Sequence, residues 1–229
     1  MIDTIGFDGD DTLWHNESLF SMTQDRFRTL LGHAADPETL NRRLLDVERA
    51  NLRFYGYGIK GFVLSMIETA IDVTDGRVSG HDIATLVAFG KTMLAHPVEL
   101  LDGVEAALDA LAGRHRLLLI TKGDLFDQES KVARSGLAER FAAVEIVSEK
   151  DAATYRRILD RHGVDPRRFL MVGNSVRSDV LPVLEAGGHA VHVPYHVTWA
   201  HEEAKPPADG YRRIDTLRAL PALLEEFRP

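Results

Sequence analysis

The stretch GFDGDDTLW, residues 6–14, sets three carboxylates (Asp8, Asp10 and Asp11) within four positions, directly after an apolar run at residues 2–7. Like charges this close oppose one another's ionisation. A chain that places them at the end of a buried-looking segment is meeting some demand other than solubility. Two readings need testing. A calcium loop of the EF-hand kind also opens D-x-D, but it requires Gly at its sixth position and Glu at its twelfth. Counted from Asp8, those positions hold Leu13 and Leu19, so that reading fails. A solvated acidic turn capping a strand is the plain alternative. The residues at the ends of the other strands decide against it.

Four further apolar runs read as strands: residues 116–120 (RLLLI), 144–147 (VEIV), 169–172 (FLMV) and 190–193 (AVHV). Helical patterns separate them. Val104, Ala107, Leu108 and Leu111 recur at helical spacing. Residues 151–162 open on a capping Asp and stop before Gly163, and residues 179–186 stop at Gly187–Gly188. Strands alternating with helices predict an α/β fold, a doubly wound parallel sheet covered on both faces. From about residue 15 to about 97 only helix-like segments occur, so a helical insert follows the first strand. The expected division is a core of residues 1–15 and 97–229 and an insert of residues 16–96. A Gly-rich break, YGYGIKG at residues 55–61, interrupts the insert. KPPADG at residues 205–210 reads as a connector to a last helix around 216–227.

In open parallel sheets, ligands sit beyond the carboxyl ends of the strands. The first strand is followed by Asp8 and Asp10, and the second by Thr121, Lys122 and Gly123. The third is followed by Ser148, Glu149 and Lys150. The fourth is followed by Gly173, Asn174 and Ser175, with Asp179 one helical step on. These residues are expected to converge on one sheet edge.

Asp8-Gly9-Asp10-Asp11-Thr12 resembles the DxDx(T/V) first motif of the haloacid dehalogenase (HAD) superfamily. Thr121 resembles its second motif, Lys150 the lysine of its third, and GNSVRSD at residues 173–179 its acidic fourth. The motifs occur in order, each at a strand end, and the helical insert stands where that superfamily carries a C1-type cap. The resemblance implies a Rossmann-like core, a cap, and a Mg²⁺-dependent phosphomonoester hydrolase working through an aspartyl-phosphate. It makes Asp8 the nucleophile and Asp10 the acid and base. Thr121 and Lys150 hold the phosphate, and Asp8, Asp179, Asn174 and the Asp10 carbonyl hold the metal. Lys122 and Gly123 are expected at the substrate, as are Tyr57 and Lys60 of the Gly-rich break, with Tyr55 beside them. Two positions depart from the pattern: Asn174 stands where Asp is common, and Asp11 where Gly is common. Asp11 reads as a turn residue. Lys131 also lies downstream of Thr121, but its helical segment reads as carrying a solvated surface lysine. Trp14 reads as packing, as do His189 and His192, while His15 reads equally as packing or as a substrate contact.

A formal net charge of −8 argues against a nucleic-acid partner, and no apolar stretch is long enough to span a bilayer. The chain has no cysteine, which excludes disulfides, thiolate metal sites and a thiol nucleophile. The N-terminus is acidic and lacks a basic leader, so a cytoplasmic protein is expected. The expected partner is a small phosphorylated metabolite, with neither nucleic acid nor membrane, and the expected assembly a monomer or homodimer. Other reactions of the resembling superfamily stand as alternatives. A dehalogenase lacks the second Asp that Asp10 supplies. A phosphonatase needs a cap lysine, for which Lys60 is the candidate before Lys91, and a phosphomutase keeps a stable phosphoenzyme. A receiver-like signalling domain carries its acceptor Asp on a later strand and has no large helical insert.

Overall fold

The computed structural model describes residues 1–197, 199–202 and 204–227. The chain divides into two compact units. One comprises residues 1–17, 98–122 and 128–229, the other residues 18–97 and 123–127.

The first unit is built on a six-stranded parallel sheet: β1 (Thr4–Phe7), β2 (Arg116–Lys122), β3 (Ala143–Val147), β4 (Phe169–Gly173), β5 (His189–His192) and β6 (Tyr211–Arg213), in the order β3-β2-β1-β4-β5-β6. β1 pairs with β2 on one side and β4 on the other, with Phe7 level with Leu119 and Val172. The chain runs outward from β1 to β3 and returns to the opposite side of β1. The reversal therefore falls between β1 and β4, where a doubly wound sheet opens its crevice. Side chains alternate between the two faces. Ile5, Phe7, Leu117, Leu119, Leu170 and Val172 join one core cluster, and Leu118, Ile120, Phe169 and Met171 join another. Both faces are thus apolar, which is why these strands read as continuous hydrophobic runs.

The second unit is helical and has its own core. α1 (Glu17–Leu31), α2 (Pro37–Tyr55), α3 (Ile59–Val73) and α4 (Gly80–Ala95) enclose Phe27, Leu31, Leu40, Leu44, Phe62 and Met66. Asp36 caps α2 by accepting from the Thr39 N–H, with Pro37 at the first helical position. The break between α2 and α3 is a turn through Gly56 and Gly58, at φ +67° and +115°, which side-chain-bearing residues rarely adopt.

The remaining helices are α5 (Val104–Leu111), α6 (Leu125–Ser135), α7 (Ala152–His162), α8 (Leu181–Glu185) and α9 (Leu220–Glu225). The structure differs from the sequence expectation in several places. β6 is not expected from the sequence and falls between the expected connector at 205–210 and the expected last helix, because its YRR carries charge and offers no apolar run. The helix expected at 179–186 opens instead as a π-turn, Val176–Val180, before α8. The last helix is shorter than 216–227. Residues 123–127 cluster with the helical unit, whose expected bounds are 16–96. Among the described residues, no helix is long and apolar enough to cross a membrane.

Candidate active site

Four strand ends of the first unit bring the site together. Asp8 leaves β1 with its N–H bonded to the Val172 carbonyl, 2.9 Å away, so the β1–β4 ladder fixes the start of the acidic loop. The loop turns back at once. Leu13 N–H donates to the Gly9 carbonyl and Asp11 N–H to the Trp14 carbonyl. Asp11 sits at φ +60°, a left-handed position that Asp tolerates better than most residues. A Cβ on Gly9 would lie 2.7 Å from the Trp14 ring and 3.2 Å from Thr121 Oγ1, so the tight packing there requires glycine.

The three carboxylates have different partners. Asp8 is buried and receives Lys150 Nζ at 2.5 Å, while the same ammonium reaches Asp179 Oδ1 at 2.7 Å. Lys150 follows β3, and Asp179 sits on the π-turn after β4, a geometry frequent at functional sites. The Ser175 N–H steadies Asp179 from Oδ2, at 3.0 Å. A Cβ on Gly173 would stand 2.2 Å from that oxygen, so the Asp179 carboxylate occupies space that only glycine leaves. Asp11 is buried, and its carboxylate accepts from the Asn16 and Glu17 N–H groups at the start of α1. It is a turn residue, as expected, and also a helix cap.

Charge in this pocket does not balance. Two carboxylates share one ammonium, which leaves one negative charge over. Burial works against the Lys150 ammonium, but Asp179 and Asp8 outweigh it and hold its pKa well above the ordinary value. Asp8 is pushed upward, first by burial and then by Asp179 and Asp10, against the pull of Lys150. The Asp11 pKa is raised to about 7 by burial and by Asp10. Among the described residues, no three His, Asp or Glu side chains form a metal cage. Asp8 and Asp179 offer two carboxylates and a surplus negative charge. Oxygen ligands of this kind suit a hard cation such as Mg²⁺, which takes one or two carboxylates and fills its other positions with water and substrate oxygens. The residues present therefore fit that ion. Asn174 is half-buried, with its Oδ1 3.4 Å from Thr12 Oγ1 and its N–H bonded to the same hydroxyl oxygen. It adds an amide oxygen near the carboxylates but no charge.

Asp10 has its own surroundings. Trp14 Nε1–H donates to its Oδ1 at 2.6 Å, Gln128 Nε2 to its Oδ2 at 2.9 Å, and Lys131 Nζ reaches both oxygens at 3.0 Å. This corrects the reading of Lys131 as a solvated lysine, since it is only 8% exposed. It also gives Trp14 a polar partner that the packing reading omits. Gln128 has no place in the sequence expectation. The available signal is the i, i+3 spacing of Gln128 and Lys131 on a helix that starts just after Thr121.

Thr121 is buried, and its Oγ1 donates to Gln128 Oε1 at 3.2 Å. The Lys122 ammonium is turned to Glu202 (2.6 Å), Ser178 Oγ (3.1 Å) and Glu149 (3.3 Å). Burial raises the Glu202 pKa, but Lys122 and the Ser175 and Ser178 hydroxyls outweigh it and hold the group at about 2. His15 Nδ1 lies 2.6 Å from the Tyr195 hydroxyl. His189 donates to the Arg167 carbonyl and His192 to that of Asn174, so both serve the backbone.

Gly123, Tyr57 and Lys60 belong to the second unit. There Lys60 Nζ pairs with Asp124 at 2.9 Å and lies over the Phe126 ring, 5.4 Å from its centre. Tyr57 is half-buried, and Gly123 holds φ +153°.

A family model described as haloacid dehalogenase-like hydrolase matches residues 2–187. N-acylneuraminate-9-phosphatase of Mus musculus is 28% identical over 171 residues, a match spanning 70% of this chain and 66% of that relative. The crystal structure of a haloacid dehalogenase-like family hydrolase from Xanthomonas campestris superposes with a TM-score of 0.89 at 43% identity, covering 98% of this chain and 91% of that one. The 2-haloacid dehalogenase of Pseudomonas syringae pv. Tomato covers the full length of both chains at 22% identity and a TM-score of 0.66, a likeness of fold.

Proposed function

Because the chain belongs to the haloacid dehalogenase-like hydrolases, we propose that it is a Mg²⁺-dependent phosphatase of a small soluble phosphomonoester, acting through an aspartyl-phosphate on Asp8. The observation that carries this reading is the pair of differently partnered carboxylates at one strand end. Asp8 lies beside Lys150 and Asp179, and Asp10 lies apart with Trp14, Gln128 and Lys131. A nucleophile and a proton carrier need that separation. The naming of the mouse relative as a phosphatase supports the same choice.

Asp8 attacks phosphorus, and the ester P–O bond breaks with its electrons on the leaving oxygen. Asp10 gives that oxygen its proton, so an alcohol departs. Asp10 then takes a proton from water, the water oxygen bonds to phosphorus, and the bond to Asp8 breaks. Inorganic phosphate is released and both aspartates are restored. The obstacle is repulsion between the anionic nucleophile and the anionic phosphate. Lys150 offsets part of it, and Thr121 with the N–H groups around Gly9, Asp10 and Lys122 donates to the phosphate oxygens. Asp8, Asp179, the Asp10 carbonyl and the Asn174 amide oxygen would hold Mg²⁺, which would supply the remaining positive charge. Tyr57, Lys60 and Gly123 are assigned to the substrate on the resemblance of their segments.

The test is hydrolysis of 4-nitrophenyl phosphate with Mg²⁺, then with excess chelator, by the native chain and by Asp8→Asn. Turnover that needs Mg²⁺ and disappears in the variant is expected. Turnover in Asp8→Asn equal to the native rate refutes the mechanism.

A further inference from the structure

We infer that Gln128 and Lys131 are positioning residues for Asp10, holding its carboxylate where it can meet the leaving oxygen; the inference rests on the phosphatase reading above. Two torsions separate the Asp10 carboxylate from the backbone, and the group is not packed in place, being 22% exposed at its side chain. Its orientation is set by donors. Both oxygens are engaged, Oδ1 by Trp14 and Lys131, Oδ2 by Gln128 and Lys131.

The donors are themselves held. Thr121 Oγ1 donates to Gln128 Oε1, which turns the Gln128 amide nitrogen toward Asp10. Lys131 makes a second bond to Asn16 Oδ1 at 2.8 Å. Gln128 and Lys131 both lie buried on α6, where an amide and an ammonium are costly unless bonded. Each carboxylate of the proposed reaction thus has its own lysine, Lys150 for Asp8 and Lys131 for Asp10. Thr121 has one hydroxyl proton to give; when it donates to the phosphate, the Gln128 amide nitrogen is still directed by its two acceptors, Asp10 Oδ2 and the Lys122 carbonyl at 3.5 Å. Catalytic geometry is steep in distance, a shift of about 1 Å costing about 100-fold. Loosening Asp10 therefore weakens proton delivery before it affects anything else.

Proton delivery matters most for poor leaving groups. The test compares kcat/KM, which reports the steps through departure of the alcohol, for 4-nitrophenyl phosphate and unsubstituted phenyl phosphate. The two have nearly the same shape, but phenol is the more basic leaving group. Lys131→Met and Gln128→Leu are expected to raise the ratio of the two kcat/KM values by about 10-fold over the native chain. Lys131→Arg, which keeps the cation, is expected to leave the ratio near native. A general structural defect lowers both substrates together, so an unchanged ratio in both variants overturns the inference. A ratio that moves in only one variant overturns it for the other residue. If Lys131→Met does not fold, Gln128→Leu carries the comparison. A native chain inactive on both esters with Mg²⁺ refutes the phosphatase reading, and this inference with it.

Discussion

Glu48 stands where a helix core position calls for an apolar residue. It follows Leu40 and Leu44 along the buried face of α2, with Asn51 next on the same face, and is only 8% exposed. Among the described residues nothing donates to it. Burial alone lifts its pKa from the ordinary 4.5 to about 7. The folded chain therefore holds a proton that the unfolded chain releases between those two values. Stability from this group is complete below pH 4.5, declines as pH rises to about 7, and is constant beyond. At about 1.4 kcal/mol per pH unit, the loss above pH 7 comes to about 3 kcal/mol. Glu48→Gln removes the titration and keeps the shape. Urea unfolding followed by circular dichroism at pH 8 is expected to show the variant more stable by about 3 kcal/mol, roughly 6–12 °C in Tm for a chain of this size. At pH 5 the gain is expected to shrink below about 1 kcal/mol. An equal gain at both pH values refutes the argument, since helix propensity or packing would then be responsible.

The first unit gives three more expected outcomes. Gly173→Ala places a Cβ against the Asp179 carboxylate, so the Mg²⁺ concentration for half-maximal turnover is expected to rise by about 10-fold or more; an unchanged Mg²⁺ titration counts against Asp179 as a ligand. Asn174→Asp adds a carboxylate to the same edge and is expected to lower that concentration about 10-fold, read from the same titration. Glu202→Gln removes an acid held at about 2 by Lys122 and the two serines. That stabilisation is present above pH 4.5 and is lost as pH falls toward 2. The variant is therefore expected to be less stable by about 2–3 kcal/mol at pH 7, with the gap closing in acid denaturation.

Five strands are legible in the sequence: β1, β2 and β4 because they are buried on both faces and end abruptly in polar residues, and β3 and β5, which are less buried, because they keep short apolar runs. Asp8, Lys150 and Asp179 are legible for the same reason, since a strand end fixes where a side chain emerges. β6 is not, because its pairing to β5 is a matter of backbone and its YRR side chains leave no pattern. The π-turn at Val176–Val180 reads as ordinary helix, as nothing in its residues distinguishes the two hydrogen-bond patterns. The surroundings of Asp10 escape for a different reason. Lys131 and Gln128 sit on a helix, and which face of a helix turns inward depends on packing by segments distant in sequence. Glu202 lies on a loop beyond β5, and only the folded chain brings it to Lys122.

The place of β1 at the middle of the sheet also bears on how the chain assembles. Its register partners, Arg116 and Phe169 for Thr4, come far later in the sequence, with residues 18–97 of the helical unit in between. Contacts within the helical unit are local and form quickly, whereas the central ladders must wait for closure of very long loops. Asp8, the proposed nucleophile, follows a strand that precedes both of its neighbours in the sequence. Refolding is therefore expected to recover helix signal well before Asp8 meets Lys150 and Asp179. In that interval β1 has both edges open, so the chain is most exposed to mispairing with another copy before it has any capacity for catalysis.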